Sequence, residues 1–490
     1  MSRPSARSFL VVALSLTLLL GGACVARDPR PATEPPPASL TDTPAVQLDD
    51  QPSAPLYGLV WQPGTSASSL SRLDPRTLLP VAGGRSLPVD RIVQWTMAPD
   101  HSMALFGPGK SEDLDPPDSN VYVIDLENMR QTAVIKAKAE VGFPRGALWL
   151  DAGRVLLLGV VDHYESVERG GVISAVSRPV LVATIVDVEK RRVVAQRRYS
   201  PGGDVAAVEP SRDGLVVMFQ PTDHIGTVEV GRVDTRGGLH LVRLDRVTAG
   251  FKGAPHGGDV GSRQNVPGLT VDARGGRAYV VAAGSPVAEI TLPGLSVSYH
   301  SLTVPGRAPS VLGMLVRMLT PVAPAATAKA QSGPQRQALW LGGGKLAVWG
   351  ADMDFKDEDG ELTGGSRPSG LQVIDTRDWS VRMLDPGVGR VVRAEGRLVT
   401  AGVTVRDAAD VDRSITGDGV RIRTPGARRT VHLYAGRPFE WIQAYGRYAY
   451  VDITDPNVPT PGPTGYAVID TRTGAVLGEH KGRTLPDLLR

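Results

Sequence analysis

The chain has 490 residues, is 41% hydrophobic and carries 56 Gly and 40 Pro; so much backbone punctuation suits many short strands and turns and argues against a bundle of long helices. The formal charge of +3 is mild, the 54 Lys and Arg are spread along the chain, and aromatics make up only 5%, so no nucleic-acid partner and no base-stacking platform is expected. The one cysteine, Cys24, excludes an intramolecular disulfide and a cysteine-based metal site.

The chain begins MSRPSARS, with Arg3 and Arg7 ahead of the apolar run FLVVALSLTLLL, Phe9 to Leu20. That run has the length of a signal-peptide core and is short of the roughly 20 residues that span a bilayer. It ends in GGAC, where Gly21, Gly22 and Ala23 precede Cys24. This resembles a bacterial lipobox, with Gly21 standing where an aliphatic residue is usual and Leu20 one place before it. The resemblance implies that residues 1–23 are a lipoprotein signal peptide and that Cys24 becomes the lipidated N-terminus. No Arg pair precedes the apolar run, which points to the general secretory route. Residues 24–54, rich in Pro, Ala, Thr and Asp, lack apolar periodicity. They read as a flexible tether, about 3.1 Å per residue where polyproline geometry holds.

From residue 55 onward the chain repeats itself. ALWLDAGRVLLLG (147–159) and ALWLGGGKLAVWG (338–350) share one form: an apolar run with Trp, a tight turn, a second apolar run. WTMAPDHSMALFG from Trp95 and WIQAYGRYAYVD from Trp441 are looser copies. Each reads as an antiparallel hairpin, and Trp95, Trp149, Trp340 and Trp441 are expected at one equivalent place. A second phrase follows each hairpin: strand, Asp-containing turn, strand. It contains Asp125, Asp187, Asp375 and Asp470, with weaker versions around Asp74 and Asp234. The carboxylate in such a turn accepts backbone N–H groups and fixes the hairpin.

Two hairpins in series make a four-stranded antiparallel sheet. Eight such units begin near Leu56, Ile92, Arg145, Val205, Asn265, Arg336, Val391 and Phe439, with seven as the alternative count. A sheet of four short strands buries both faces only by packing on neighbours, as in a radial array. The chain over residues 55–490 resembles the divergent YVTN/WD40-like and quinoprotein-like β-propellers, with VIDT-type third strands. The resemblance implies an all-β propeller and says almost nothing about activity. Unit one lacks a first strand, and residues 481–490, KGRTLPDLLR, are expected to supply it and close the ring. Residues 304–335 are an insertion between units five and six that breaks the rhythm.

Few motifs suggest chemistry. ALFGPGKS (104–111) loosely matches a phosphate-binding loop, but EDLDPPDSN follows and cannot start the helix that such a loop requires. Asp352, Asp354, Asp357 and Asp359 crowd before Gly360. They read as an acidic loop, with calcium as the one metal they suggest, although EF-hand spacing fails. His256 and Asp259 lie in a Gly-rich loop, HGGDVGSRQN, that is a weak candidate for a channel-facing site. DTRTGAVLGE (470–479) is similar to the repeat of pyrroloquinoline-quinone propellers but has Leu477 and Gly478 where their Trp is expected, so no quinone is expected, and no other cofactor. The four repeat tryptophans either pack between blades or line a cleft that stacks on ligands.

The expectation is therefore a monomeric, lipid-anchored, extracytoplasmic binding or scaffold protein of a bacterial envelope. Its partner is expected to be an envelope protein or a saccharide. The alternative is an extracytoplasmic hydrolase or lyase with its site at the channel mouth.

Overall fold

The structure, a computed structural model, describes residues 54–489 apart from 62–67, 90–91, 109–118, 170–171, 222–223, 253–262, 273, 304–331, 359–360, 409–410, 425–429, 440 and 455–462. Its regular elements are all strands. They form eight four-stranded antiparallel blades arranged as a β-propeller. Blades 2 to 8 take their first strands from Ile92–Met97, Phe143–Trp149, Asp204–Ser211, Gly268–Val271, Ser332–Gly342, Arg390–Ala394 and Ile442–Tyr445. The first strands of successive blades pack on one another, so they line the centre of the ring.

Blade 1 is completed from the other end of the chain. Leu56–Trp61, Ser68–Leu73 and Ser86–Val89 are its second to fourth strands, and Asp487–Leu488 pairs with Leu56–Trp61 as the innermost one. Gly58 lies opposite Leu488, and the Leu489 N–H donates to the Tyr57 carbonyl at 2.9 Å. The seam between blades 8 and 1 is further held by three phenols. Tyr445, Tyr450 and Tyr466 donate to the carbonyls of Ala54, Pro75 and Thr77 at 2.6, 2.8 and 2.9 Å. Burial raises the Tyr450 and Tyr466 hydroxyl pKa values, that of Tyr466 to about 12, so these groups remain donors.

The hydrophobic core is divided into eight clusters, one at each contact between neighbouring blades, including the contact of blade 8 with blade 1. This explains why the second strands read as unbroken apolar runs. In Arg154–Arg169, Val155 and Leu157 enter the core shared with blade 2, while Leu156 and Leu158 enter the core shared with blade 4. A strand sandwiched on both faces has no polar side to alternate with.

The antiparallel order puts the first-to-second and third-to-fourth connections on one face of the ring. All the expected Asp turns lie there, and each carboxylate caps its turn. Asp74, Asp125, Asp187, Asp234, Asp375 and Asp470 accept the N–H of Arg76, Asn128, Lys190, Arg236, Arg377 and Arg472 at 2.8–3.1 Å. The Asn128 and Lys190 N–H groups hold the Asp125 and Asp187 carboxyls below the ordinary range. The Arg377 guanidinium brings Asp375 down to about 2.

The opposite face is elaborate, and this the repeats do not announce. In blade 3 the second and third strands, Arg154–Arg169 and Val172–Asp187, pair along their whole length as a long hairpin arm. Blades 6 and 7 carry similar extensions, Lys345–Glu358 with Glu361–Pro368, and Arg397–Ala408 with Val411–Arg423. These arms pair with each other through Gly364–Ser366 and Val405–Asp407. The strand Arg263–Asn265 pairs with Gly250–Lys252 of blade 4 and meets Ser332 of blade 6 in parallel. Backbone hydrogen bonds thus lace blades 4, 6 and 7 into one ribbon that passes blade 5.

Two sequence expectations are corrected. Asp352, Asp354 and Asp357 do not sit in a loop: Lys345–Glu358 is strand throughout, paired with Glu361–Pro368. The stretch 352–358 has no β-branched residue and its Asp residues disfavour a strand, so the reading as a loop follows from local preference; pairing with Glu361–Pro368 overrides it. The four repeat tryptophans are not equivalent either. Trp149 and Trp340 are, each opposite the second residue of the next strand, Val155 and Leu346. The counterparts in blades 2 and 8 are Met97 and Ala444, opposite Ala104 and Ala449. Unequal turn lengths shift Trp95 and Trp441 along their strands.

Candidate functional site at the channel mouth

The innermost strands start at the elaborate face, so their first residues form the rim of the central opening. Trp441 stands immediately before Ile442–Tyr445 on this rim. Its backbone is clamped twice by the buried Asp452: the Trp441 N–H donates to Asp452 Oδ1 at 2.7 Å, and the Asp452 N–H donates to the Trp441 carbonyl at 3.1 Å. The indole itself is 46% exposed. The Arg390 guanidinium, from the first residue of the innermost strand of blade 7, lies 5.3 Å from its ring centroid, a cation–π distance.

Blade 1 contributes a second indole. Trp61, at the rim end of Leu56–Trp61, is 40% exposed, and its Nε1–H donates to Asp487 Oδ2 at 2.9 Å. Asp487 belongs to the closing strand, which Gln443 of blade 8 grips from the other side. Gln443 Nε2 donates to the Pro486 carbonyl at 3.2 Å, and its Oε1 accepts the Leu488 N–H at 3.3 Å. Trp61 and Trp441 are the only exposed aromatic side chains among the described residues. They occupy one face and adjacent blades. One ring is held by its own hydrogen bond and the other lies against a guanidinium; exposed rings can stack on a ligand, and the charged groups beside them can orient it.

The other sequence candidates are accounted for differently. Trp95 is buried between blades 2 and 3, in a slot made by two glycines: a Cβ at Gly107 or Gly159 would come within 2.1 or 2.9 Å of its ring. Trp149 and Trp340 are half-buried; Trp340 stacks on Tyr279 of blade 5 with centroids 5.5 Å apart. These three indoles fill gaps between blades. Asp352 is paired with the buried Arg336 at 2.8 Å. Asp354 and Asp357 occupy strand positions opposite Gly365 and Leu362. Asp359, His256, Asp259 and Cys24 lie outside the described residues. Among the described residues no group of three or more His, Cys, Asp or Glu has metal-binding geometry.

Trp61 escapes a reading by repeats, because it ends a strand of the one incomplete unit. The signal that finds it is the closing strand, since Asp487 fixes it. Histidine–carboxylate pairs do occur, His240 with Asp234 at 3.2 Å and His300 with Glu289 at 2.9 Å. They join third and fourth strands, away from the channel. A concavity of about 300 Å³ lies on the tight-turn face of blade 3. Its Asp151 and Asp187 are already tied to Arg154 and Lys190 at 2.6 and 3.1 Å.

No family model matches the sequence, and neither does any curated protein. Solved structures do. Dihydro-heme d1 dehydrogenase NirN in complex with DHE is 14% identical over 89% of this chain and 77% of that one, with a TM-score of 0.42. The β-propeller domain of the trilobed protease from Pyrococcus furiosus is 12% identical over 76% and 93%, with a TM-score of 0.34. Kuenenia stuttgartiensis hydrazine synthase is 16% identical over 63% and 78%, with a TM-score of 0.33. The propeller assignment itself rests on the strand order and the eight interface cores of this chain.

Proposed function

We propose that the chain is a bacterial lipoprotein, anchored outside the cytoplasm through Cys24, whose divergent YVTN/WD40-like propeller binds a partner at the channel mouth. The observation that carries the binding role is the pair of exposed indoles on one rim, Trp61 held by its bond to Asp487 and Trp441 anchored at its backbone by Asp452 with Arg390 against its ring. Every other indole of the chain is at least half-buried. Leaving two large apolar rings in water on one rim has a hydration cost, and a partner that covers them recovers it. The signal-peptide pattern of residues 1–23 and the Pro-rich tether of residues 24–54 support the location.

The test is affinity purification of the tagged full chain from solubilised native envelopes. Parallel purifications use Cys24→Ala and the double variant Trp61→Ala/Trp441→Ala. The expected result is a partner recovered with the wild type, reduced by about 30-fold or more in the double variant, as for central indole anchors, and lost with Cys24→Ala. A partner retained at equal yield by the double variant would overturn the rim as the binding surface. Cytoplasmic fractionation of the wild type would overturn the anchor.

A further inference from the structure

A carboxyl group on an innermost strand has nothing to bind it. Glu209 lies on the innermost strand of blade 4, Asp204–Ser211, opposite Val216, the third residue of the next strand. The same position in blades 3, 5, 6, 7 and 8 holds Leu148, Thr270, Leu339, Val392 and Gln443. Each of these turns toward the following blade. Leu148, Leu339 and Val392 pack on the core shared with it. The polar members find partners there: Thr270 Oγ1 accepts the Trp340 N–H at 3.0 Å, and Gln443 bonds Pro486 and Leu488.

Glu209 is the one ionisable member of this set. Its position faces the core between blades 4 and 5, to which its strand partner Val216 belongs. That core is built of aliphatic side chains such as Val216, Ala278 and Ile290. The strands packed on Asp204–Ser211 are Gly214–Gln220, Gly268–Val271, Phe143–Trp149 and Val172–Asp187, and their charged residues are Arg145, Arg178 and Asp187. Arg145 lies over the Phe143 ring, Asp187 is bonded to Lys190 at 3.1 Å, and Arg277, on the next strand of blade 5, is bonded to Glu289 at 2.7 Å. No hydrogen bond or ion pair reaches Glu209 among the described residues, and burial alone raises its carboxyl to about 7, without a charged neighbour contributing. The group is half-buried. The innermost strands line the centre of the ring, so the channel is the route by which a ligand comes to this strand.

We infer that Glu209 is a binding site for an organic cation, a protonated amine or a guanidinium, that reaches blade 4 through the central channel. The position tolerates leucine, valine, threonine and glutamine in the other blades, so packing does not demand an acid. An unpaired carboxylate against an aliphatic core costs stability, and a cation that donates to it removes that cost. A cation with a short alkyl chain fits best, because the chain can lie along the aliphatic wall. This site is distinct from the indole rim, which lies in blades 7, 8 and 1.

The experiment is thermal unfolding of the full chain in detergent, at constant ionic strength, with n-butylammonium chloride, methylguanidinium chloride or the neutral control n-butanol. Wild type, Glu209→Gln and Trp441→Ala are compared. The expected result is a cation-dependent rise in Tm at about pH 8, where the carboxyl is ionised, that fades toward about pH 6. The rise is absent with butanol and absent in Glu209→Gln, and it persists in Trp441→Ala. An equal rise in wild type and Glu209→Gln, or none in wild type, overturns the site. Should Glu209→Gln fail to fold, the wild-type series decides: stabilisation by cation that does not change with pH overturns the inference. Loss of partner capture at the indole rim leaves this result untouched, so the two readings fail separately.

Discussion

Removing residues 485–490 should open the ring. Leu485 and Leu489 are 8% and 4% exposed, and burying a leucine contributes about 1.5–3 kcal/mol each. The same segment makes the Leu489–Tyr57, Leu488–Gln443, Pro486–Gln443 and Asp487–Trp61 hydrogen bonds, at about 0.5–1.5 kcal/mol apiece. The loss is then on the order of 5–10 kcal/mol, comparable to the whole stability of an ordinary domain. For a body of this size each kcal/mol moves Tm by about 1–2 °C, so the melt should fall by about 10 °C. Calorimetry of the full chain and the truncated chain measures this, with Leu489→Ala as an intermediate step. Adding the peptide TLPDLLR in excess should restore part of the loss, because it offers the missing strand. A truncated chain melting within about 2 °C of wild type would refute the closure, as would a peptide without effect on a destabilised one.

Three further outcomes follow from the same geometry. Tyr450→Phe and Tyr466→Phe each remove a donor from a carbonyl of blade 1. Each should cost about 1 kcal/mol or more in denaturant unfolding, whereas a null effect of both would mean that the seam is held by packing alone. Arg447 is paired with the fully buried Asp470 at 3.1 Å, so Arg447→Met should cost about 3–5 kcal/mol, while Arg377→Ala, which removes an exposed guanidinium beside Asp375, should change stability little; equal costs would contradict the burial argument. The Glu209 carboxyl is raised from 4.5 to about 7 on folding, so the folded chain binds the proton more tightly than the unfolded one. Its contribution is complete below about pH 4.5 and is lost as pH climbs through about 7, a fall on the order of 3 kcal/mol. Glu209→Gln should flatten that part of the stability–pH curve, and an unaltered slope would show that other groups produce it.

The blades were legible because each writes the same two physical demands into the chain. A second strand buried on both faces has to be apolar throughout, as in Val155 to Leu158, and a capped turn needs its acid at a fixed place, as at Asp125 or Asp470. The closing strand was legible from a missing apolar run in unit one. The recognition rim was only half legible. Trp441 is one of four repeat tryptophans, yet it differs from the other three because it lies ahead of its innermost strand, where Asp452 accepts its N–H in a contact that spans a hairpin. Trp61 depends on Asp487, 426 residues away, and no local pattern encodes such a pair. The hairpin arms escaped notice because strands that extend beyond a blade follow neither the repeat length nor its turn residues. Glu209 was invisible for the opposite reason: its meaning lies in the leucines and glutamine that replace it in other blades.

The lacing of blades 4, 6 and 7 makes the ring uneven in stiffness. On that arc, a shift of one blade must break backbone hydrogen bonds in the shared ribbon. Across the junction of blades 8 and 1 no shared ribbon adds to the packed core; the links are three phenols, one glutamine and a closing strand of two residues. Thermal breathing should therefore concentrate at that junction, and amide hydrogens of Leu56–Trp61 should exchange sooner than those of Gly214–Gln220. The two exposed indoles stand on either side of it. Any widening of the junction changes the spacing between them, so the shape of the rim depends on a junction that the ribbon does not brace.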